Sequence, residues 1–383
     1  MTTREPDIAA DADTVLPDTV MKGVFLPGDA TAEVREYPVP VPGPGQLLIR
    51  TGASGICGSD IGYIYRGYKT HKGLNGQPAY KGVIAGHEPS GRVVAAGPGV
   101  TRFSAGDDVI VYHIHGCGVC RNCRAGYYIS CSDQAQRKAY GWQRDGGHAD
   151  YVLVSEATCI PLVAPLTYAD GALIACGFGT AYEGLRRANV HGGEDLLVVG
   201  LGPVGLAAAM IGRMLGARRV IGVERNAERI DFVRALGLVD DIVLADENAV
   251  DNILDLTDGV GCAVSVDASG STPGRATAIG GTAEWGRMSL LGEGGTLETE
   301  VSDALLHKQL TINASWVTSL QGMEDLAGML AAAGLHPEVV ISHRMTLGQA
   351  DEAYALAAAG TTGKVILVPD EPAVHDSTAA VTD

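Results

Sequence analysis

Four cysteines fall within fifteen residues, Cys117-x2-Cys120-x2-Cys123-x7-Cys131, in the run G-C-G-V-C-R-N-C-R-A-G-Y-Y-I-S-C. Thiolates two residues apart reach one ion from a single tight turn, and four of them close a tetrahedral zinc site with no open position. Bacterial iron–sulfur runs end C-x3-C-P, whereas here the last gap is seven residues and Ser132 follows. A redox C-x-x-C pair needs two cysteines, not four in register. Cys117, Cys120, Cys123 and Cys131 therefore read as a structural zinc lobe, and the chemistry must lie elsewhere.

A chain of 383 residues exceeds one ordinary core, so two or three domains are expected. The net charge of −17 argues against nucleic acid or an anionic membrane as the main partner. Eight cysteines, four of them in zinc spacing, fit a reducing cytoplasm better than a disulfide scaffold. Residues 1–20 are polar and acidic without the apolar core of a signal peptide, and they read with 370–383 as mobile tails. Residues 196–212 run without a charge but contain three patterned glycines and Pro203, which suits a buried strand, turn and helix better than a membrane span.

Two grammars divide the chain. From 23 to about 151 short β-rich runs, such as 46–51, 91–96, 108–112 and 149–154, are broken by Gly and Pro. The segment Y-P-V-P-V-P-G-P-G at 37–45 has to be a connector. This half reads as an irregular β domain with the cysteine lobe as an excursion. After Ala169 compact apolar strands (196–199, 220–223, 241–244, 262–267, 288–291) alternate with helix-like stretches such as 204–215 and 227–236. That alternation predicts a doubly wound parallel sheet, hence an α/β protein. Beyond about 320 come Ala-rich helices and a last strand, 364–368, placed to return to the first domain.

Gly200-Leu-Gly202-Pro203-Val204-Gly205 follows the strand 196–199 and opens a helix. The first glycine permits the tight turn, the second lets a pyrophosphate approach the backbone, and the third lets helix pack on strand. Glu224 ends the next strand, where a carboxylate accepts both ribose hydroxyls of a dinucleotide. It would repel a 2′-phosphate and favours NAD, while Arg225 beside it partly offsets that and leaves NADP open.

Cys57 in G-I-C-G-S-D, His87 in G-H-E-P-S-G and Cys176 in A-C-G-F-G-T are a dispersed set whose composition, two cysteines and a histidine, is that of an open catalytic zinc site. Spacing alone does not join them. Taken together with the proline-rich connector, G-D-x-V, the cysteine lobe and G-x-G-x-x-G with its acid, all in order, the chain resembles the zinc-dependent medium-chain alcohol dehydrogenases from about 22 to 368. The resemblance implies a GroES-like irregular β catalytic domain (1–177, rejoined by 321–383) and an inserted doubly wound Rossmann NAD-binding domain (178–320). It further implies two zinc ions per chain, a homodimer or homotetramer, and hydride transfer between a secondary alcohol and NAD. Cys57, His87 and Cys176 would ligate the catalytic zinc, with Asp60 orienting His87, Glu88 behind the ion and Ser59 taking the alcohol proton. Glu224 and Arg229 would hold the adenosine ribose, and Lys364 would lie near the pyrophosphate.

The chain also departs from that family. Gly62 stands where many members carry the histidine that ends the proton relay, so the relay ends in water or in another histidine such as His71. His113, Glu293 and Trp316, joined by Trp142, map to a pocket that is apolar in simple alcohol dehydrogenases. They point to a polyhydroxylated substrate such as a sugar, cyclitol or nucleoside derivative. An NADPH-dependent reductase of an aldehyde or activated double bond, and a non-catalytic zinc-stapled nucleotide-binding protein, are the competing readings. Segment 61–82 carries Arg66, Lys69, Lys72 and Lys81 with Tyr63, Tyr65, Tyr68 and Tyr80 and no acidic residue. It is either a solvated loop or subunit contact, or a substrate-entrance loop.

Overall fold

The structure, a computed structural model, describes residues 19–69 and 78–370. Most of the two expected tails, together with His71 and Lys72, lie outside the described residues. The strands of the first half form a seven-stranded sheet around Gln46–Gly55, which pairs with Glu88–Ala96, Tyr151–Ser155 and, across an antiparallel seam, Lys364–Val368. The strand Lys364–Val368 therefore does rejoin the first sheet, carrying Ile341–Thr346 beside it in parallel. Gln46–Gly55 buries Leu47, Leu48 and Ile49 in succession, as a central strand covered on both faces requires.

The second sheet is six-stranded and parallel throughout, in the order Asp241–Leu244, Arg219–Glu224, Asp195–Val199, Cys262–Asp267, Thr282–Leu290, Thr311–Ala314. Numbered within this sheet the order is 3-2-1-4-5-6, the doubly wound arrangement whose ligand crevice opens at the carboxyl ends where strand order reverses. Its helices follow the sequence reading closely: Pro203–Met214 begins with proline in its first turn, and Ala227–Leu236 is capped by the Asn226 side chain and ends on left-handed Gly237. The strand expected at 288–291 is longer, Thr282–Leu290: Thr282 pairs with Cys262, residues 283–286 bulge away, and pairing resumes at Arg287 opposite Val264.

One continuous apolar core joins the sheets. Ala53, Ile110 and Tyr112 of the first pack in the same cluster as Leu196 and Val198 of the second, through Leu173, Ile174, Phe178 and Leu185 of the intervening helical stretch. The uncharged run 196–212 is strand, turn and buried helix, and no helix among the described residues is long and apolar enough to cross a membrane.

Candidate active site

The four-cysteine run closes on itself. The sulfurs of Cys117, Cys120, Cys123 and Cys131 all lie within 4.8 Å of one another. Backbone N–H groups point at them: Cys120 N–H donates to Cys117 Sγ at 3.4 Å, Cys123 N–H to Cys120 Sγ at 3.4 Å, and Cys117 N–H to Cys131 Sγ at 3.3 Å. The Cys123 N–H, with the backbone of Ser132, holds Cys120 down at about 5, whereas burial pushes Cys123 and Cys131 up. Four converging sulfurs, with no further His, Asp or Glu ligand atom grouped with them among the described residues, suit one tetrahedral zinc.

The dispersed ligand set also converges. Cys57 precedes the turn Gly58–Asp60, His87 precedes the strand Glu88–Ala96, and Cys176 sits in the helical turn Ile174–Phe178. Their donor atoms, with one Glu88 oxygen, lie within 4.8 Å of one another. His87 Nδ1 donates to Asp60 Oδ1 at 2.8 Å, which leaves Nε2 directed at the thiols. The second Asp60 oxygen accepts from Cys57 N–H at 3.2 Å. A hydrogen bond from Cys176 holds Cys57 well below its ordinary value, while the same contact and burial push Cys176 up. Two thiols sharing one proton beside an imidazole form a donor set that a divalent cation satisfies.

Lys364, expected near the pyrophosphate, has its ammonium 2.5 Å from Glu88 Oε2, with both side chains buried behind the thiols. A carboxylate this deep is held protonated by burial unless a cation answers it: Glu88 is pushed up to about 7, and Lys364 is the main counterweight.

A cavity of about 570 Å³ opens over Cys57, His87 and Cys176 and runs to Val204 in the first turn of the glycine-loop helix, and to Ala268 and Ser269 beyond the strand Cys262–Asp267. Ser59 and Gly62 line it, as do His113, Trp142, Glu293 and Trp316. The space beside Gly62 is open, since a Cβ there would meet nothing within 4 Å. His113 is buried, donates from Nδ1 to Ala175 O at 2.9 Å, and is lowered to about 4 by that burial, so it meets the cavity as a neutral imidazole. Glu293, on the exposed wall of the cavity and raised by partial desolvation, accepts hydrogen bonds from Tyr63 and Trp316. Of the basic, tyrosine-rich segment, Tyr63 and Lys69 reach the cavity. Tyr65 instead stacks on Tyr354, Tyr68 donates to Leu26 O at 2.7 Å, and Arg66 donates to Ala358 O at 2.7 Å.

At the far end Gly200 has φ +90°, and a Cβ on Gly205 would stand 1.9 Å from Gly200 O, so both positions require glycine. Glu224 is bracketed by backbone donors, accepting from Leu201 N–H at 3.0 Å, Arg225 N–H at 2.8 Å and Asn226 N–H at 3.0 Å. Arg229 lies 3.7 Å from Glu224 and also donates to Thr362 O at 3.1 Å, joining the two parts of the chain. The Arg225 side chain is exposed.

Residues 43–164 match the family model of the alcohol dehydrogenase GroES-like domain, and 203–333 match that of the zinc-binding dehydrogenases. The chain belongs to the zinc-dependent medium-chain alcohol dehydrogenases. It is 48% identical over 348 residues to the uncharacterized zinc-type alcohol dehydrogenase-like protein YphC of Escherichia coli, covering 91% of this chain and 98% of that one. It is 28% identical to a sorbitol dehydrogenase of Halalkalibacterium halodurans, over 88% of this chain and 95% of that one. Among solved structures, a zinc-binding dehydrogenase of Sinorhizobium meliloti bound to NADP superposes with a TM-score of 0.79 at 26% identity, covering 92% of this chain and 100% of that one. The GroES-like and Rossmann-like folds of this family account for the two sheets, and an oxidoreductase of the zinc alcohol dehydrogenase type is the activity they support.

Sequence reasoning missed two features of the cavity. Trp142 was a pocket candidate only, yet its indole N–H donates to Asp60 Oδ1 at 3.1 Å. Arg137 lines the cavity and nothing in its spacing marked it. Neither residue belongs to a motif, so only the fold exposes them.

Proposed function

We propose that the protein oxidises a polyhydroxylated secondary alcohol with NAD as hydride acceptor. The observation that carries this reading is Glu293: a carboxylate on the exposed wall of the cavity over the thiols, accepting from Tyr63 and Trp316. The Glu293 carboxylate and the neutral imidazole of buried His113 on the walls of one cavity offer several hydrogen-bonding partners, which favours a ligand with several hydroxyls. The sorbitol dehydrogenase relative is in keeping with that class.

Cys57, His87 and Cys176 would hold the reactive zinc, which supplies Lewis acidity at the alcohol oxygen. Cys117, Cys120, Cys123 and Cys131 would hold a structural ion. A nicotinamide dinucleotide on the Gly200, Gly202 and Gly205 loop supplies the hydride acceptor. Asp60 holds His87 in the tautomer that leaves Nε2 free to ligate, and Glu88 with Lys364 keeps a balanced charge pair behind the sulfurs. Ser59, on the cavity wall beside Cys57, receives the alcohol proton. With glycine at position 62 that proton leaves through the open space there, to water. Glu224, fixed by three backbone donors, accepts the two ribose hydroxyls and disfavours a 2′-phosphate. These roles divide among a catalytic part (1–177 with 321–383) and a nucleotide part (178–320).

A dehydrogenation screen over sugars, cyclitols, nucleosides, L-threonine and simple alcohols, followed by NADH absorbance, tests the reading. Turnover concentrated in the polyols is expected. If ethanol or benzyl alcohol outpaces every polyol, the substrate class is wrong. If NADPH-driven reduction dominates, the cofactor assignment is wrong as well.

A further inference from the structure

Trp142 belongs to neither metal set and to no motif, yet it touches the support of one. Its indole N–H donates to Asp60 Oδ1 at 3.1 Å, the same oxygen that accepts from His87 Nδ1 at 2.8 Å. The other Asp60 oxygen accepts from the Cys57 backbone at 3.2 Å. Asp60 is fully buried, so bulk water does not replace a lost donor. The end torsion of an aspartate is intrinsically broad. Here three donors on two oxygens set it, and rotating the carboxylate would break all three together.

The source of the indole matters. The strand Ile114–His115 pairs with Lys138–Ala139, and the four-cysteine run loops out between them. Trp142 follows in a turn closed by Trp142 N–H to Ala139 O at 3.3 Å and Gly141 N–H to Arg144 O at 2.8 Å. The base of the closed cysteine lobe thus carries the donor that reaches Asp60. On the cavity side the indole packs 5.9 Å from the Tyr63 ring, whose hydroxyl bonds Glu293.

We propose that Trp142 is a positioning residue for the His87 ligand, acting through Asp60, so that the lobe's base helps set how firmly the open site grips its metal. The proposal rests on the reading of Cys57, His87 and Cys176 as metal ligands. Outer-shell partners of ligating histidines typically carry 10- to 100-fold in metal affinity, in order-of-magnitude terms. The test uses the full-length zinc-loaded protein as wild type, Trp142→Phe, Asp60→Asn and the double variant. Zinc release to a chromogenic chelator is timed, and the visible absorption is recorded after cobalt exchange into the labile site.

Trp142→Phe should release the labile ion about 10-fold faster, shift the cobalt bands, and leave the slow lobe ion unchanged. In the Asp60→Asn background, whose amide keeps one acceptor oxygen but no negative charge, the same change should add clearly less than it does alone. Unaltered release and unaltered bands in Trp142→Phe, or an undiminished effect without Asp60, would overturn the proposal. Should Trp142→Phe fail to fold, 3-benzothienylalanine at position 142 keeps the ring shape and removes the N–H, with the same expected and overturning results. A wild type holding one zinc would sink the three-ligand reading and this proposal with it. Two zincs with an indifferent Trp142 would sink this proposal alone.

Discussion

The two metal-ready clusters are built from the same side chain and differ in almost everything else. The lobe draws its four sulfurs from residues 117–131, and their backbone N–H groups close on the sulfurs within the run itself. The cleft draws Cys57, His87 and Cys176 from three separate elements of the fold and adds Asp60, Glu88, Lys364 and Trp142 behind them. The lobe spends all its donors on one another, whereas the cleft leaves a face open to a cavity of about 570 Å³. A cysteine set that is local and closed stabilises; a set that is dispersed and open has a position left for chemistry.

Substitution in each cluster is the most forceful way to break that contrast. Cys57→Ala should lower kcat/KM by at least ~1,000-fold, since the lost Lewis acidity is worth several kcal/mol, while the melting temperature moves little. Cys120→Ala should do the reverse in kind, lowering stability by several kcal/mol on the order expected for a structural zinc site. Steady-state kinetics with calorimetry on both variants checks this. If Cys120→Ala melts like wild type, the lobe is not a staple.

Acid offers a second probe, because the cleft's support contains a buried neutral histidine. His148 is fully buried, donates from Nε2 to Gly55 O at 3.1 Å, accepts from Tyr354 Oη at 2.9 Å, and is lowered by burial to about 4. The unfolded chain binds this proton near 6.5 and the folded chain near 4, so its share of stability is whole above 6.5 and fades as pH falls towards 4. The loss approaches roughly 3 kcal/mol at the low end. Denaturant melts of His148→Gln against pH should show a flatter acid limb; an unchanged slope would contradict the assignment.

The pocket wall is the third. His113→Phe removes one neutral hydrogen-bonding group from the cavity and should cost about 10- to 100-fold in kcat/KM on the true substrate. Small apolar alcohols should be spared or improved, and equal loss on both would mark His113 as merely structural. The smallest effect is expected at the nucleotide end. Glu224→Ser, with exposed Arg225 retained, should shift the NAD to NADP preference about 10-fold towards NADP, read from paired kcat/KM values. A wild type that already prefers NADP would show that Arg225 outweighs the carboxylate.

What the sequence by itself determined is what depends on neighbours in the chain. Cys117 to Cys131 needs only a tight turn, and Gly200 to Gly205 needs only a strand before it and a helix after it. The alternation beyond Ala169 needs only periodicity, so the doubly wound sheet was legible along with both motifs. For the dispersed ligands, family order supplied the grouping that spacing did not. The tertiary structure alone decided what those residues face. Lys364 pairs with Glu88, because a buried carboxylate beside thiols demands a cation. Trp142 became a donor to Asp60, and Tyr63 and Lys69 parted from the rest of their basic segment to line the cavity. Hydrogen bonds and ion pairs between residues such as Asp60 and Trp142, 82 apart in the chain, leave no trace in local pattern, because their free energy is realised only once the sheet has brought them together.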